Sequence, residues 1–337
     1  MCPRVLRVET GLASVKPDKN SLWAGVLDYH VYASAPRWWR RLEEMLHIDI
    51  ILALRARRLA NQYDIIWADS EKVGIPLAMM GMRKPVVVLV HHMASRRKRK
   101  LLRMIGVTKK WAGIGYLSDA DRDFMESYYE IPPNLLFKAA APNLGRFTPA
   151  PTVIDGPIMS LGVTKRDYGT LIAALEHLPG YETKIHVSSR YGDSYKGSIP
   201  TIIPDWVRFE SGVSDEELVK YYQRARFVVL PLMDTTHFTA GYSVALEASA
   251  SGKAVIATKT PGMASYVIDG VTGILIPPYD INALRTAIHK LWTQPDLAHQ
   301  MGLAGRRYIE TQFNPEVANA TIEEFLIKVY SESQLVV

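Results

Sequence analysis

At 337 residues with 48% hydrophobic and 22% charged content the chain is too apolar for a disordered protein and long enough for two ordinary domains, and its single cysteine, Cys2, excludes internal disulfides. No apolar run is longer than Val86–Val90, far below the roughly 20 residues that cross a bilayer, and Met1-Cys-Pro-Arg lacks the look of a secretory signal, so a cytoplasmic protein is expected. The net charge of +6 is uneven, residues 1–150 holding 24 Lys and Arg against 14 Asp and Glu and the remainder 16 against 20, which points the first half at an anionic partner.

Val5 to Val8 reads as a first strand. After Pro36, apolar residues at 38, 42, 45 and 46 recur at helical spacing with Arg37, Arg40 and Arg41 beside them, and a second helix over 51–61 carries Arg55, Arg57 and Arg58. The runs 63–68 and 85–90 read as buried parallel strands around a helix over 73–82. Ligands of open α/β sheets bind beyond the carboxyl ends of strands, so His91 and His92, which follow the second run, would face a crevice; either could instead cap a helix or bond a backbone group. Arg96, Arg97, Lys98, Arg99 and Lys100 are the densest basic cluster. Such a cluster is ordinarily a solvated face, but with Trp38 and Trp39 in the same domain it favours a surface for anionic lipid head groups. It lacks interleaved aromatic residues, so no nucleic acid is expected.

A further strand over 112–116 leads to Ser118, a fitting N-cap for the helix 122–129. The proline-spaced stretch 149–157 reads as a stiff linker between a domain of residues 1–150 and one of 151–315, with 316–337 closing the chain. Strands are expected at 158–161, 185–188, 207–210 and 226–230, with Ser214 and Glu217 as a capping box between the last two. Helices over 281–292, 297–313 and 317–329 follow.

The second half is organised by residues 231–258, which read as strand, polar loop, small-residue helix and strand, a βαβ crossover. A helix that begins Gly241-Tyr242-Ser243-Val244 presents backbone N–H groups, a slim surface and the positive end of its dipole, which suits a phosphate. Ser243 and Glu247 share one face, about 6 Å apart by the helix rise. Val244, Ala245, Leu246, Ala248 and Ala250 make this a buried helix, so the Glu247 carboxylate requires partners: a ribose diol, or a neighbouring amide or arginine.

Gly-Tyr-Ser-Val-Ala-Leu-Glu247-Ala-Ser-Ala-Ser-Gly252-Lys-Ala-Val-Ile, Pro261-Gly262 and Asp269-Gly-Val-Thr-Gly273-Ile-Leu-Ile-Pro-Pro278 together resemble the signature of retaining, nucleotide-sugar-dependent glycosyltransferases of the family 4-like, "group 1" type. The resemblance implies an α/β fold of the GT-B kind, two Rossmann-like doubly wound parallel-sheet domains facing each other across a cleft. The first would bind acceptor, the second donor, and the last helix would cross back to the first. It further implies a hexosyltransferase moving a hexose from a UDP- or GDP-sugar to a glycan, lipid-linked or small-molecule acceptor of polysaccharide or glycolipid biosynthesis. No cofactor and no metal are expected, and the enzyme would be cytoplasmic, peripheral on the inner face of the cell membrane.

His91, His92, Lys165, Arg166 and Glu247 carry over as catalytic, the two cations holding the donor diphosphate as its charge grows. Gly162, Asp234, His237, Thr239, Gly241, Tyr242, Ser243, Val244 and Glu247 carry over as donor-binding, and loops 188–191 and 209–213 would enclose the base. Trp38, Trp39 and residues 96–100 are the membrane or acceptor surface. The chain departs from the family's pattern in three places. Thr239 stands for the first acidic residue, Val163 for an arginine after Gly162, and Gly241 lies six rather than five before Glu247. A nucleotide-sugar-rearranging (epimerase-like) enzyme and a non-catalytic protein on the same fold are the alternatives, the latter because of Thr239.

Overall fold

The computed structural model describes residues 3–9, 23–27, 37–95, 99–140, 144–150, 153–187, 202–212 and 214–335. They form two compact units, Met1–Ala140 with Glu316–Val337, and Ala141–Pro315. Each is built on a six-stranded parallel sheet.

The first unit contains, in chain order, β1 (Val5–Val8), β2 (Trp23–Leu27), α1 (Arg37–Leu46), α2 (Ile50–Leu59), β3 (Ile65–Ala68), α3 (Glu71–Met79), β4 (Val86–Leu89), α4 (Arg99–Met104), β5 (Gly113–Tyr116), α5 (Asp119–Tyr129) and β6 (Leu136–Lys138). The strand order is β2-β1-β3-β4-β5-β6. Because side chains alternate across a strand, Leu6, Val8, Ile66, Ala68, Val86 and Val88 pack on one face with α2 and α3, while Val5, Ile65, Trp67 and Val87 fill the other. The strand β2 lies in a stretch where no element is expected from the sequence. Ser70 caps α3 and Ser118 caps α5, the latter in a capping box with Asp121.

Of the apolar stripe of α1, Trp38, Met45 and Leu46 do not turn inward. Trp38 is 65% and Met45 69% exposed, whereas Glu43 is only 1% exposed. The helix docks through that glutamate, which accepts the Ile51 N–H at 3.0 Å while its backbone carbonyl accepts Ile48 N–H at 3.1 Å.

The second unit runs β7 (Ile158–Leu161), α6 (Tyr168–Leu175), β8 (Thr183–His186), β9 (Val207–Glu210), α7 (Asp215–Arg224), β10 (Phe227–Leu230), α8 (Tyr242–Ala250), β11 (Val255–Thr258), β12 (Gly273–Ile276), α9 (Ile281–Thr293) and α10 (Pro295–Gln312). Its sheet order is β12-β11-β10-β7-β8-β9, so the chain winds outward in both directions from the β7/β10 pair. That reversal is a topological switch point, where the loops leaving two adjacent strands diverge and open a crevice. Ser214 and Glu217 form the expected capping box at α7.

The last helix, α11 (Pro315–Gln334), belongs to the first unit and inserts Phe325, Leu326 and Val329 against Val5, Ile65, Trp67, Val87 and Phe137. A Cβ at Gly113 would sit 2.1 Å from the Phe325 ring, so β5 has a glycine where the helix crosses it.

Candidate functional site

In the second unit the switch point gathers three loops. The turn after β7 starts at Gly162, in the left-handed region at φ 93°, whose N–H donates to the His186 carbonyl at 3.0 Å and whose carbonyl accepts the Tyr168 hydroxyl. Lys165 is exposed and also left-handed, at φ 56°. Arg166 is 3% exposed. Its guanidinium lies under Gly162, close enough that a Cβ there would meet Nη2 at 2.6 Å, and it donates to the Leu161 carbonyl at 2.8 Å and the Thr164 carbonyl at 2.9 Å. Burial depresses its pKa, and among the described residues no carboxylate pairs with it. A buried cation held by carbonyls and unmatched by an anion is costly unless an anion arrives.

This turn is stitched to the loop after β10. Asp167 N–H donates to the Pro231 carbonyl and Met233 N–H to the Lys165 carbonyl, both at 2.9 Å, around an antiparallel bridge between Arg166 and Leu232. Leu232 N–H in turn reaches Thr258 Oγ1 at the end of β11, at 2.8 Å. The loop continues through exposed Asp234, half-buried His237 and buried Thr239 to Gly241, which N-caps α8 at φ 81° with no side-chain cap. The carbonyl of Thr239 accepts Tyr242 N–H at 3.3 Å, and the N–H groups of Ser243 and Val244 in the first turn are placed to receive an anion. Gly262 lies so close under the loop that a Cβ would be 1.7 Å from the Phe238 carbonyl oxygen, so backbone contact there demands glycine.

The face of α8 is more open than its composition implies: Ser243 is exposed and Glu247 half-buried, whereas Val244, Ala245, Leu246 and Ala248 are buried. Glu247 also has a partner that the sequence does not announce. The hydroxyl of Tyr222, on α7, donates to Glu247 Oε2 at 2.8 Å. Tyr222 is fully buried, and burial together with the Glu247 charge pushes its pKa well above the usual tyrosine value, so it stays a donor. Neither helical periodicity nor charge marks Tyr222; only the packing of α7 against α8 brings the two together.

The first unit gathers a second cluster, at the carboxyl ends of β1, β3, β4 and β5. His91 Nε2 donates to the Asp69 carbonyl at 2.9 Å, which fixes the ring proton on that nitrogen, and His91 N–H donates to Glu71 Oε2 at 2.9 Å. Burial alone would raise Glu71, but the charge of His91, the N–H bonds and the charge of His92 outweigh it and hold the carboxylate below its ordinary pKa. Asp121 is pushed up to about 6 by burial, against the pull of its bonds to Ser118. The Asp69 carboxylate receives both Nε and Nη2 of Arg7 at 3.0 Å, as well as the Trp67 indole N–H. Of this set only His91 and His92 stand out in the sequence. Glu71 and Asp121 fall outside the helices expected there over 73–82 and 122–129, so nothing in the pattern marks them.

Trp38 is exposed and Trp39 half-buried; Arg99 and Lys100 open α4, while Arg96, Arg97 and Lys98 lie outside the described residues, as do the whole of loop 188–191 and Val213. On α4 and just past it, Leu101 (54% exposed), Met104 (78%) and Ile105 (38%) leave Leu102 as the buried anchor. Among the described residues no group of three or more His, Cys, Asp or Glu is arranged as a metal site, and no helix is long and apolar enough to cross a membrane.

Residues 200–308 match the family model described as "Glycosyl transferases group 1". The "D-inositol 3-phosphate glycosyltransferase" of Thermobifida fusca is 36% identical over 103 residues, which are 31% of this chain and 23% of that protein. A "GDP-mannose-dependent alpha-(1-6)-phosphatidylinositol monomannoside mannosyltransferase" of Mycolicibacterium smegmatis is 31% identical over 130 residues, 37% of this chain and 33% of that protein. The chain thus spans a third or less of the length of these curated relatives. Among solved structures, Anabaena HepE in complex with UDP-glucose superposes with TM-score 0.71 at 17% identity, covering 97% of this chain and 100% of that one. At that identity the likeness establishes the fold, two α/β units of the GT-B kind.

Proposed function

We propose, from the membership of residues 200–308 in the glycosyl transferases group 1, that the chain transfers a hexose from a nucleotide diphosphate sugar with retention at the anomeric carbon. The observation that carries this reading is Arg166, a buried guanidinium with no carboxylate partner among the described residues, one residue from exposed Lys165 and in the turn stitched to the loop that leads into α8. A diphosphate supplies the missing anion. Its oxygens would meet Lys165 and the Ser243 and Val244 N–H groups, with Arg166 raising the local potential from below, while the ribose hydroxyls share Glu247 with Tyr222.

As the glycosidic bond to the diphosphate breaks, negative charge accumulates on the departing phosphate. Fixed donors already aimed at that point lower the barrier without reorganising. These two cations and the helix end are offered as sufficient for the leaving group, so the reading includes no metal. The donor is a UDP- or GDP-hexose, and the comparisons point both ways, one relative being named for GDP-mannose and one fold neighbour being bound to UDP-glucose.

The acceptor, a glycan, a lipid-linked sugar or a small molecule, belongs to the first unit, near His91 and Asp121. That unit also leaves Trp38 and Met45 on α1, and Leu101 and Met104 on α4 next to Lys100, exposed to solvent; exposed apolar side chains in a unit with a basic excess suit a face that lies on anionic lipid. A second reading draws on the same His91, Glu71 and Asp121 cluster: an acid/base set of that kind serves an epimerase or hydrolase of nucleotide sugars as well.

The two part on products. With UDP-glucose, UDP-N-acetylglucosamine, GDP-mannose and an acceptor extract, transfer yields a nucleoside diphosphate and a new α-linked glycoside. Free sugar or an epimerised donor, with no acceptor product, would favour the second reading.

A further inference from the structure

We propose that Tyr279 is a positioning residue of the nucleotide-sugar site, a latch whose hydroxyl holds the loop between β10 and α8 in its binding shape; this deepens, and rests on, the reading of that loop as donor-binding. Tyr279 follows Pro277-Pro278 at the end of β12 and precedes Asp280, whose side chain caps α9 by accepting Ala283 N–H at 2.8 Å. Two prolines on one side and a capped helix on the other fix its backbone, and they fix it at φ 61°, a left-handed conformation that aromatic side chains rarely take. Its ring is 58% exposed, so burial does not explain a tyrosine at this position. Glycine would occupy the same backbone without strain, but it could not do what the hydroxyl does. That hydroxyl accepts the N–H of Asp234, 45 residues away, at 3.1 Å.

The place of the contact gives it meaning. Up to Met233 the loop is anchored on both flanks, to Lys165 and Asp167 on the β7 side and to Thr258 at the end of β11. Beyond Met233 it leaves the sheet, and His237 N–H turns back to Thr235 Oγ1 within the loop itself. Asp234 thus lies where the loop leaves its anchored span, and Tyr279 reaches it from the edge strand across β11. Farther along, the Phe238 carbonyl lies close over Gly262. Because the loop ends at Gly241 and the first turn of α8, slack at Asp234 would be felt where the phosphate N–H groups are presented.

The test uses the full-length protein with Tyr279→Phe and Tyr279→Gly. Hydrogen exchange of the segment 233–237 reads the latch without any ligand: exchange at least about tenfold faster than wild type is expected in both variants. Calorimetry with UDP and with GDP reads the site. Tyr279→Phe should weaken whichever nucleotide the wild type binds by about 3- to 10-fold, the worth of one hydrogen bond, with no change in Tm. Tyr279→Gly should bind as weakly or more so, yet melt no lower than wild type, because the strained backbone is relieved.

Unchanged exchange in Tyr279→Phe would overturn the latch. So would faster exchange with undiminished nucleotide affinity, which would leave Tyr279 a surface feature. If the wild type binds neither nucleotide, the donor-binding reading fails on its own, and this proposal of a donor-site role falls with it. The exchange data then show only whether the hydrogen bond exists, so the two failures are told apart.

Discussion

Asp121 and Tyr222 show how differently a buried polar side chain can act. Asp121 has its pKa raised from 3.8 to about 6, chiefly by burial, so between those values the folded protein holds a proton that the unfolded chain has lost. The contribution is therefore fully present below about pH 4 and is lost as pH rises through about 6, a swing on the order of 3 kcal/mol. Asp121→Asn keeps an oxygen to accept the Ser118 bonds and removes the titration. Urea midpoints between pH 4 and 7 should show the variant losing less stability with rising pH than wild type; parallel curves would contradict the assignment.

Tyr222 instead keeps its proton and donates it in a hydrogen bond to Glu247. A double-mutant cycle of Tyr222→Phe and Glu247→Gln should give a coupling of about 1.5–3 kcal/mol, the range for hydrogen bonds to charged groups, and additivity would contradict the pair. At this scale the sequence says that Glu247 matters and why a carboxylate on an apolar helix needs donors. It does not say who the donor is, because a tyrosine 25 residues away announces itself only once α7 and α8 are packed. Arg166 is the converse. Its type and place are readable, while its burial and its bonds to Leu161 and Thr164 are not.

The elements divide along the same line. Strands made of consecutive apolar, largely β-branched residues, such as Val86–Leu89 and Phe227–Leu230, are readable because a parallel strand covered on both faces needs no alternation. The N-cap at Ser118 and the capping box at Ser214 are readable because they are local chemistry. The helix α1 is misleading for a physical reason: amphipathic spacing reports that a helix has two faces, not which one finds a partner, and here Glu43 goes in while Trp38 and Met45 stay out.

The exposed apolar side chains of α4, which opens with Arg99 and Lys100, carry a prediction about lipid. Lys100→Glu with Met104→Glu changes two exposed residues, Met104 being 78% exposed. The pair should leave Tm within about 1 °C of wild type, as surface substitutions ordinarily do. It should cut co-sedimentation with vesicles containing phosphatidylglycerol several-fold, since apolar insertion and charge attraction add. Equal binding of the two proteins would remove lipid as the partner of this face.

For the whole molecule, a single strand order does most of the explaining. In the second sheet the chain starts at β7, winds one way to β9, then returns beside β7 with β10 and winds the other way to β12, so the loops after β7 and β10 diverge over one spot. The residues assigned to the donor's diphosphate, sugar and ribose sit on those loops or on the helix that the second one enters: Gly162, Lys165 and Arg166 on one, Asp234 to Gly241 and then Ser243 and Glu247 on the other. The first sheet has its own reversal, between β1 and β3, with Arg7 and Asp69 beside it. The motif from Gly241 to Pro278 makes the resemblance to group 1 glycosyl transferases legible, and the family-model match over residues 200–308 spans it. The first unit offers no such record, and its cluster of Asp69, Glu71, His91 and Asp121 comes together only through the sheet.

A nucleotide diphosphate settling against Arg166 and the first turn of α8 is the step on which the proposed transfer depends. Calorimetric titration of the protein with UDP and with GDP, repeated on Glu247→Ala, tests it most directly. One of the two nucleotides should bind the wild type, stabilising it by about 2.7 kcal/mol at a hundredfold excess over Kd, and the variant should bind it at least about tenfold more weakly. Absence of heat and of any melting shift with both nucleotides, or full affinity in Glu247→Ala, would contradict it.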